Sequence, residues 1–368
     1  MSKNKKILFI CHMPPPVHGS SMVGQYIKDS NIIKNSFESS FINLSTSRKL
    51  NEIDKNPIIK ITRYIDIFLK VIFKLLFFQP EIVYLTINAK GLGFFKDLPI
   101  AFLVKFFGKK LVLHYHNKGV NLKQNLLFYD FVYRILFKNT KIILLSKKLY
   151  FDIKKYVDKK NVFFCPNGIP YPKYEKKIPK NIDIPKIPTL LFLSNIIKSK
   201  GVFILLKALK ILDDEGVKFK CNFVGGEGDI SPLKLNTKII DFNLAHCVFY
   251  LGKKYSHDKY EILQKSDVFL LPTYYHNECF PLVLLEAMQF GLPIITSNEG
   301  AISEIVDNNI TGFVLNDLNP KNLAYAIKKL INHTEISKNM GKRGKEKFDK
   351  LYNLNIFEKK FTTILRKI

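Results

Sequence analysis

The sequence predicts an α/β protein made of two Rossmann-like domains, each a parallel sheet flanked by helices, facing each other across a cleft. Three observations predict it. Short apolar runs alternate with helix-length segments along most of the chain, which is the pattern of a parallel sheet with crossover helices. The alternation breaks once, in a stretch rich in proline and lysine, and then restarts. A chain of 368 residues also exceeds one ordinary α/β core and suits two.

The first apolar run, 7–10, leads into a loop carrying Pro14, Pro15, Pro16 and Gly19, and a helical stretch follows from Met22. This is strand, loop, helix. Further runs at 82–86, 111–115, 142–145 and 162–164 complete a first domain over 1–170. From Pro170 to Pro188 there are five prolines, many lysines and no helical or strand period, which marks 171–188 as a linker. Strands are then predicted at 190–193, 221–224, 248–251, 268–271 and 293–296. Helices near 201–212, 260–264, 281–290 and 320–331 alternate with them, giving a second domain over 189–350. Residues 351–368 form a C-terminal helix expected to pack back on the first domain.

Composition narrows the function classes. With 47% hydrophobic and 24% charged residues the chain has material for two cores and none of the signature of disorder. The cysteines Cys11, Cys165, Cys221, Cys247 and Cys279 lack C-x-x-C pairs and His/Cys ligand spacing, which argues against a zinc motif or a disulfide framework and fits a reducing cytosol. The run 7–10 is too short for a signal peptide, and no apolar run approaches the roughly 20 residues of a membrane span, so a cytoplasmic protein is expected. The net charge of +27 suits nucleic acid or an anionic membrane surface. Nearly all of it is lysine, with arginine only at Arg48, Arg63, Arg134, Arg343 and Arg366. Nucleic-acid readers depend on arginine for bidentate contacts, so that class is set aside.

In an open parallel sheet, ligands bind at the carboxyl ends of the strands. The predicted strand 268–271 runs into a loop and then into E-C-F-P-L-V-L-L-E-A-M-Q-F-G-L-P from Glu278. Pro281 suits the first turn of a helix, and Gly291 and Pro293 end it. Glu278 then lies just before this helix and Glu286 within it. Backbone N–H groups of Cys279, Phe280 and Leu282 at a helix N-terminus suit a diphosphate, while carboxylates accept hydrogen bonds from hydroxyls. Two glutamates flanking such a turn suit a sugar nucleotide. Taken in isolation, they read more readily as an ordinary helix residue and an N-terminal charge that favours the helix dipole.

The surroundings add to this. L-F-L-S-N-I-I-K-S-K-G-V from Leu191, F-V-G-G-E-G from Phe223 and S-D-V-F-L-L-P-T from Ser266 precede the glutamates; T-S-N-E-G-A-I-S-E-I-V from Thr296 and D-N-N-I-T-G-F-V from Asp307 follow them. In order and spacing the second domain resembles family 4 of the retaining glycosyltransferases, which have the GT-B fold, and E-x7-E from Glu278 to Glu286 is the most specific element. The resemblance implies that Glu286 holds the nucleotide ribose and that Glu278 contacts hydroxyls of the donor sugar. It places Lys200 against the diphosphate, with the backbone of Cys279, Phe280 and Leu282 lining the pocket. Asn195, on the donor side, stands where the family usually has an arginine, so either Lys198 or another cation replaces that charge or the charge stabilisation is weaker. Pro281 stands where the family often has glycine.

In the first domain, P-P-P-V-H-G-S-S-M-V resembles the family's first glycine loop, with Gly19 and Ser20 as donor-binding candidates beside the plainer reading of a strand–helix turn. His116, in L-H-Y-H-N-K-G, falls where related enzymes carry an active-site histidine, with His114 as its rival. N-G-I from Asn167 reads as a structural turn. No D-x-D occurs, so no metal or other cofactor is expected, and the retaining outcome rests on the resemblance alone.

Residues 63–79 put Arg63, Asp66, Lys70 and Lys74 on one thin helical stripe with apolar residues elsewhere, and 94–110 and 122–138 are rich in Phe and Leu with flanking lysines. Such helices pack on a sheet or lie in an anionic leaflet. Together with the charge, they lead to the expectation of a peripheral enzyme at the inner face of a bacterial membrane. It would move a sugar from a nucleotide-sugar donor, with UDP as the guessed nucleotide, to a lipid-linked oligosaccharide for O-antigen (lipopolysaccharide) or capsule. The rival readings are an epimerase-like enzyme on the same fold and a non-catalytic membrane-binding protein.

Overall fold

The computed structural model describes residues 5–46, 57–172 and 187–368. The chain divides into two compact units, Met1–Gly168 with Leu354–Ile368, and Ile169–Asn353. Most of the expected linker, 173–186, lies outside the described residues.

The first unit runs β1 (Lys6–Cys11), α1 (Gly19–Asp29), α2 (Asn31–Ser36), β2 (Glu38–Asn43), α3 (Pro57–Phe73), β3 (Ile82–Ile87), α4 (Gly91–Phe106), β4 (Lys110–Tyr115), α5 (Val120–Lys123), α6 (Leu127–Phe137), β5 (Lys141–Leu144) and β6 (Val162–Phe164). Its six strands are all parallel, in the order β2-β1-β3-β4-β5-β6. All six residues of β3 are buried, because helices cover both faces of the sheet; that is why such strands appear in the sequence as unbroken apolar runs. β2, at the edge and half exposed, carries E-S-S-F-I-N and showed no such run.

Two expected helices differ from the sequence reading. The stretch 122–138 is two helices, α5 and α6, and Asp152 caps the start of α5 by accepting hydrogen bonds from the N–H groups of Gly119 (2.8 Å), Val120 (3.2 Å) and Asn121 (3.0 Å). The stretch 63–79 begins earlier, at Pro57, and after α3 widens into a π-type turn over Lys74–Phe78 before Gln79 turns left-handed.

These helices bury one side against the sheet and leave large apolar side chains on the other. Ile58 is 75% exposed, Phe77 71%, Leu92 89%, Phe106 86% and Leu127 91%. Ile61, Ile65, Leu69 and Phe73 of α3 and Phe128 and Phe131 of α6 are exposed as well. Phe95 of α4 lies against Phe128 and Tyr129 of α6, at 5.9 and 5.2 Å between ring centres, so the two helices share one aromatic surface.

The second unit runs β7 (Thr189–Leu193), α7 (Val202–Asp214), β8 (Lys220–Val224), α8 (Pro232–Asp241), β9 (Val248–Tyr250), α9 (Ser256–Lys265), β10 (Val268–Leu271), α10 (Leu282–Gln289), β11 (Ile294–Ser297), α11 (Ile302–Ile305), β12 (Gly312–Leu315), α12 (Pro320–Asn332) and α13 (Thr334–Leu351). Its parallel order is β12-β11-β10-β7-β8-β9. The sequence reading missed β12, α8, α11 and α13. The inner face of α13 is Ser337, Met340, Gly341, Gly344 and Phe348, largely small residues packed on α10, so it carries no broad apolar stripe. All five cysteines are buried and none forms a disulfide.

The last helix, α14 (Leu354–Lys367), belongs to the first unit. Its fully buried Phe361 lies 5.3 Å from Tyr84, 6.4 Å from Phe9 and 6.3 Å from His114 between ring centres. The chain end is tied down as Lys110 donates to the Ile368 carbonyl at 2.8 Å and Arg366 to Ser36 at 2.9 Å. Phe361→Ala is therefore expected to cost the first unit about 3–5 kcal/mol, the range for emptying a buried aromatic site, measured as a fall in its urea midpoint.

Candidate functional site

In the second unit the loops at the carboxyl ends of β7, β8, β10 and β11 carry the polar chemistry. After β7 the chain makes a turn over Lys198–Lys200 that docks on the segment following β10: Tyr274 N–H donates to the Ser199 carbonyl at 2.7 Å, and the Thr273 hydroxyl does so at 3.3 Å. Gly201 makes this docking possible. Its φ is +88°, and a Cβ there would lie 1.9 Å from the Pro272 carbonyl oxygen. Gly225 does the same one strand over, where φ is +156° and a Cβ would lie 1.7 Å from the Ser194 oxygen.

This nesting brings Lys200 to Glu278. The Lys200 ammonium forms a short ion pair with Glu278 Oε2 and lies 4.9 Å from the centre of the Tyr275 ring. Both partners are largely shielded, at 14% and 9% side-chain exposure, so each neutralises a charge that burial would otherwise make costly. Glu286, on α10, pairs with Lys259 of α9 at 2.6 Å through Oε1. Its Oε2 is buried without a hydrogen-bond partner among the described residues. A buried carboxylate oxygen left open in this way is ready to accept a hydroxyl hydrogen bond.

Pro281 caps α10 from outside rather than forming its first turn, and no side chain caps the helix. Leu284 N–H donates to the Pro281 carbonyl at 3.1 Å, so the N–H groups of Leu282 and Val283 are the ones that remain available to an anion. The side chains of Cys279 and Phe280 are core groups, with Phe280 packed on Tyr352 at 5.7 Å, so these residues could meet a ligand only through their backbone; Leu282 is half buried. Asn195 is exposed and its side chain bonds to no described residue. Lys198 is exposed too, whereas the stem of Lys253 lies over Gly226, on the loop after β8. The sequence reading missed Lys259 and Lys253, since a lysine on a helix face or after a strand carries no signal in so lysine-rich a chain.

In the first unit, His116 directly follows β4 at the head of a clamped loop. Asp97, buried in α4, accepts from the Asn88 backbone (3.0 Å) and side chain (2.9 Å); Asn117 then donates to Asn88 at 2.8 Å and accepts from Ala89 N–H at 2.9 Å. His114 is core. It is fully buried, bonded through Nδ1 to Tyr84 at 2.7 Å and stacked beneath Phe361. Gly19 and Ser20 open α1, whose start is fixed by a reciprocal cap: Ser21 N–H donates to His18 Nδ1 at 3.3 Å, and His18 N–H to the Ser21 hydroxyl at 2.9 Å.

The structure adds His12, at the end of β1, with its ring 5.9 Å from that of His18. The Ser45 hydroxyl gives its proton to the Met13 carbonyl at 3.1 Å, so the contact of 3.4 Å between Ser45 and His12 Nδ1 has the ring as donor and leaves Nε2 an acceptor. Burial first, and then the charges of Lys96, His18 and His116, push His12 down to about 3. Burial and His18 push His116 down to about 4. Both rings are neutral hydrogen-bonding groups at neutral pH.

Residues 174–347 match the family described as Glycosyl transferases group 1. The amylovoran biosynthesis glycosyltransferase AmsK of Erwinia amylovora is 31% identical over 129 residues, which cover 34% of this chain and 31% of that protein. The N,N'-diacetylbacillosaminyl-diphospho-undecaprenol alpha-1,3-N-acetylgalactosaminyltransferase of Campylobacter jejuni is 29% identical over 192 residues, 51% of this chain and 47% of its own. The chain spans between about a third and a half of the length of these curated relatives. Among solved structures, Anabaena HepE in complex with UDP aligns with a TM-score of 0.73 over 99% of this chain and 100% of its own, at 15% identity. That likeness is one of fold.

The histidines generate a pH signature. His12 and His116 have folded-state values below the ordinary 6.5, so as pH falls the unfolded chain takes up protons that the folded chain refuses. Their contribution is complete above about pH 6.5 and is lost toward pH 4, at up to about 1.4 kcal/mol per pH unit for each ring. Urea midpoints measured from pH 7.5 to 4.5 should fall steadily, and His12→Asn with His116→Asn should flatten the profile.

Proposed function

We propose that this chain transfers a sugar from a nucleotide-sugar donor to a glycan acceptor in surface-polysaccharide biosynthesis, a reading supported by the match of residues 174–347 to the Glycosyl transferases group 1 family. Its two-unit α/β architecture is that of the GT-B glycosyltransferases. The observation that carries the proposal is the pair of glutamates, each held by a lysine, on either side of the open N-terminus of α10.

The roles follow from the chemistry of each group. Glu286 Oε2 accepts a ribose hydroxyl, and Glu278 accepts hydroxyls of the donor sugar. Lys200 and the N-terminus of α10 offset the negative charge that grows on the leaving diphosphate, a task proposed to need no metal ion. Lys253, lying on the loop after β8, is the cation proposed to stand in for the arginine that Asn195 replaces. In the first unit, neutral His116 hydrogen-bonds a sugar hydroxyl, and Gly19 and Ser20 present backbone N–H groups to a phosphate. We assign a retaining, front-face displacement. The bond from the anomeric carbon to the phosphate oxygen breaks, the bond to the acceptor oxygen forms on the same face, and the acceptor proton passes to the departing phosphate. UDP as the nucleotide is supported by the UDP and UDP-glucose complexes of HepE.

The acceptor is proposed to be lipid-linked, and the chain to work at an anionic cytoplasmic membrane face. The name of the Campylobacter relative specifies a diphospho-undecaprenol acceptor. No helix among the described residues is long and apolar enough to cross a membrane. The exposed apolar surface of α3, α4 and α6 is far larger than the scattered residues a water-facing surface tolerates, and the lysine excess gives it affinity for anionic headgroups.

Thermal unfolding with UDP, GDP and ADP tests the donor site. UDP at a hundred times its dissociation constant should add about 2.7 kcal/mol, and Glu286→Ala should lose that gain. No response to any nucleotide or to UDP-glucose would end the ribose role of Glu286, while epimerisation of a UDP-sugar without an acceptor would favour the epimerase-like reading. Vesicle sedimentation tests the surface. Binding to vesicles containing phosphatidylglycerol should exceed binding to pure phosphatidylcholine, and Leu127→Glu with Phe128→Glu should weaken it at least tenfold; equal, weak binding to both would remove the membrane assignment.

A further inference from the structure

A second cluster lies at the amino-terminal end of the second unit's sheet, the opposite end from Glu278 and Lys200. Asp213 sits in the last turn of α7, and His246 with Cys247 immediately precedes β9. We propose that Asp213, His246 and Cys247 form a zinc-binding site that pins the end of α7 to the start of β9.

The three side chains offer a carboxylate oxygen, an imidazole nitrogen and a sulfur, all within 4.8 Å of one another. His246 Nε2 is already 3.0 Å from Asp213 Oδ1. Zinc bonds of about 2.0–2.3 Å in tetrahedral geometry set ligand atoms roughly 3.3–3.6 Å apart, so side-chain adjustments of about an ångström suffice. A borderline-soft ion is the one that accepts this mixed O, N and S set, whereas magnesium and calcium demand oxygen.

The backbone on both sides is held independently of the cluster. Val217 N–H donates to Leu212 O at 3.0 Å and Gly216 N–H to Asp213 O at 2.9 Å, closing α7. Leu244 N–H donates to Ile239 O at 2.9 Å, Cys247 N–H to Leu244 O at 3.1 Å, and Cys221 N–H to Cys247 O at 2.8 Å, fixing the turn and joining it to β8. Cys247 is buried and its thiol points at the Leu244 carbonyl, 3.6 Å away. On binding, that thiol proton leaves to solvent and the sulfur turns to the metal as thiolate. Burial first, and then the charge of Asp213, push the Cys247 thiol up to about 11 against a smaller opposing effect of Lys218, so it is the bound ion that draws out the thiolate. His246 is 62% exposed in its side chain, which leaves the fourth position to water and gives the ion an entry path. The ligands come from two separated stretches of chain, so no ligand spacing in the sequence reveals them.

The test uses the full chain, stripped with chelator, and zinc or cobalt ions alone. One equivalent of zinc should bind and raise the thermal midpoint by several degrees, and cobalt should give the sulfur-to-cobalt charge-transfer absorption. Cys247→Ser should abolish that absorption, and Asp213→Asn and His246→Ala should each weaken zinc binding at least tenfold. Both of the latter positions are partly exposed, so these variants remain informative if Cys247→Ser does not fold. Absence of the sulfur-to-cobalt band, or zinc binding unchanged in all three variants, would overturn the proposal.

Discussion

The arrangement of polar groups in the second unit depends on how closely its loops approach one another at the carboxyl ends of the strands. Strands buried on both faces leave no room for polar side chains within the sheet, so charged chemistry is confined to those loops. Two backbone contacts bring the loops together, Gly225 over the Ser194 carbonyl and Gly201 over the Pro272 carbonyl, at distances no side chain would permit. With the turn after β7 pressed on the segment after β10, Lys200 reaches Glu278 without any direct chain connection between them.

Charge is handled differently in the two units. In the second, Glu278 and Glu286 are each matched by a lysine and the positive end of a helix lies beside them, so the cluster is held together by paired charges while one oxygen of Glu286 stays open. In the first, the polar groups at the strand ends are histidines kept neutral by burial, together with a buried aspartate, Asp97, that accepts hydrogen bonds from Asn88. The first arrangement suits anionic and hydroxyl-rich groups; the second suits uncharged hydroxyls. The first unit also carries the large apolar surface, because α3, α4 and α6 have more apolar residues than one buried face can hold.

Much of this was legible from residues alone. The core strands showed as apolar runs, and the turn chemistry of Pro281, Gly291 and Pro293 bracketed α10 closely. Legibility failed where burial is partial or where small residues do the packing. The edge strand β2 alternates weakly with polar residues, and α13 packs through Ser337, Gly341 and Gly344. The start of α5 is set by Asp152, distant in sequence, which no local pattern could announce.

By itself the sequence determined the α/β class, the two-unit organisation and the segments holding the glutamates, because periodicity and turn residues are local properties written along the chain. Only the tertiary structure decided that Lys259 pairs with Glu286, that His114 is core while His12 joins the polar end of the first unit, and that Asp213 meets His246 and Cys247. Each of these is a contact between residues far apart in the chain. Such contacts are selected by the packing of whole elements and by the cost of burying unpaired charge, and neither leaves a period or a spacing to read.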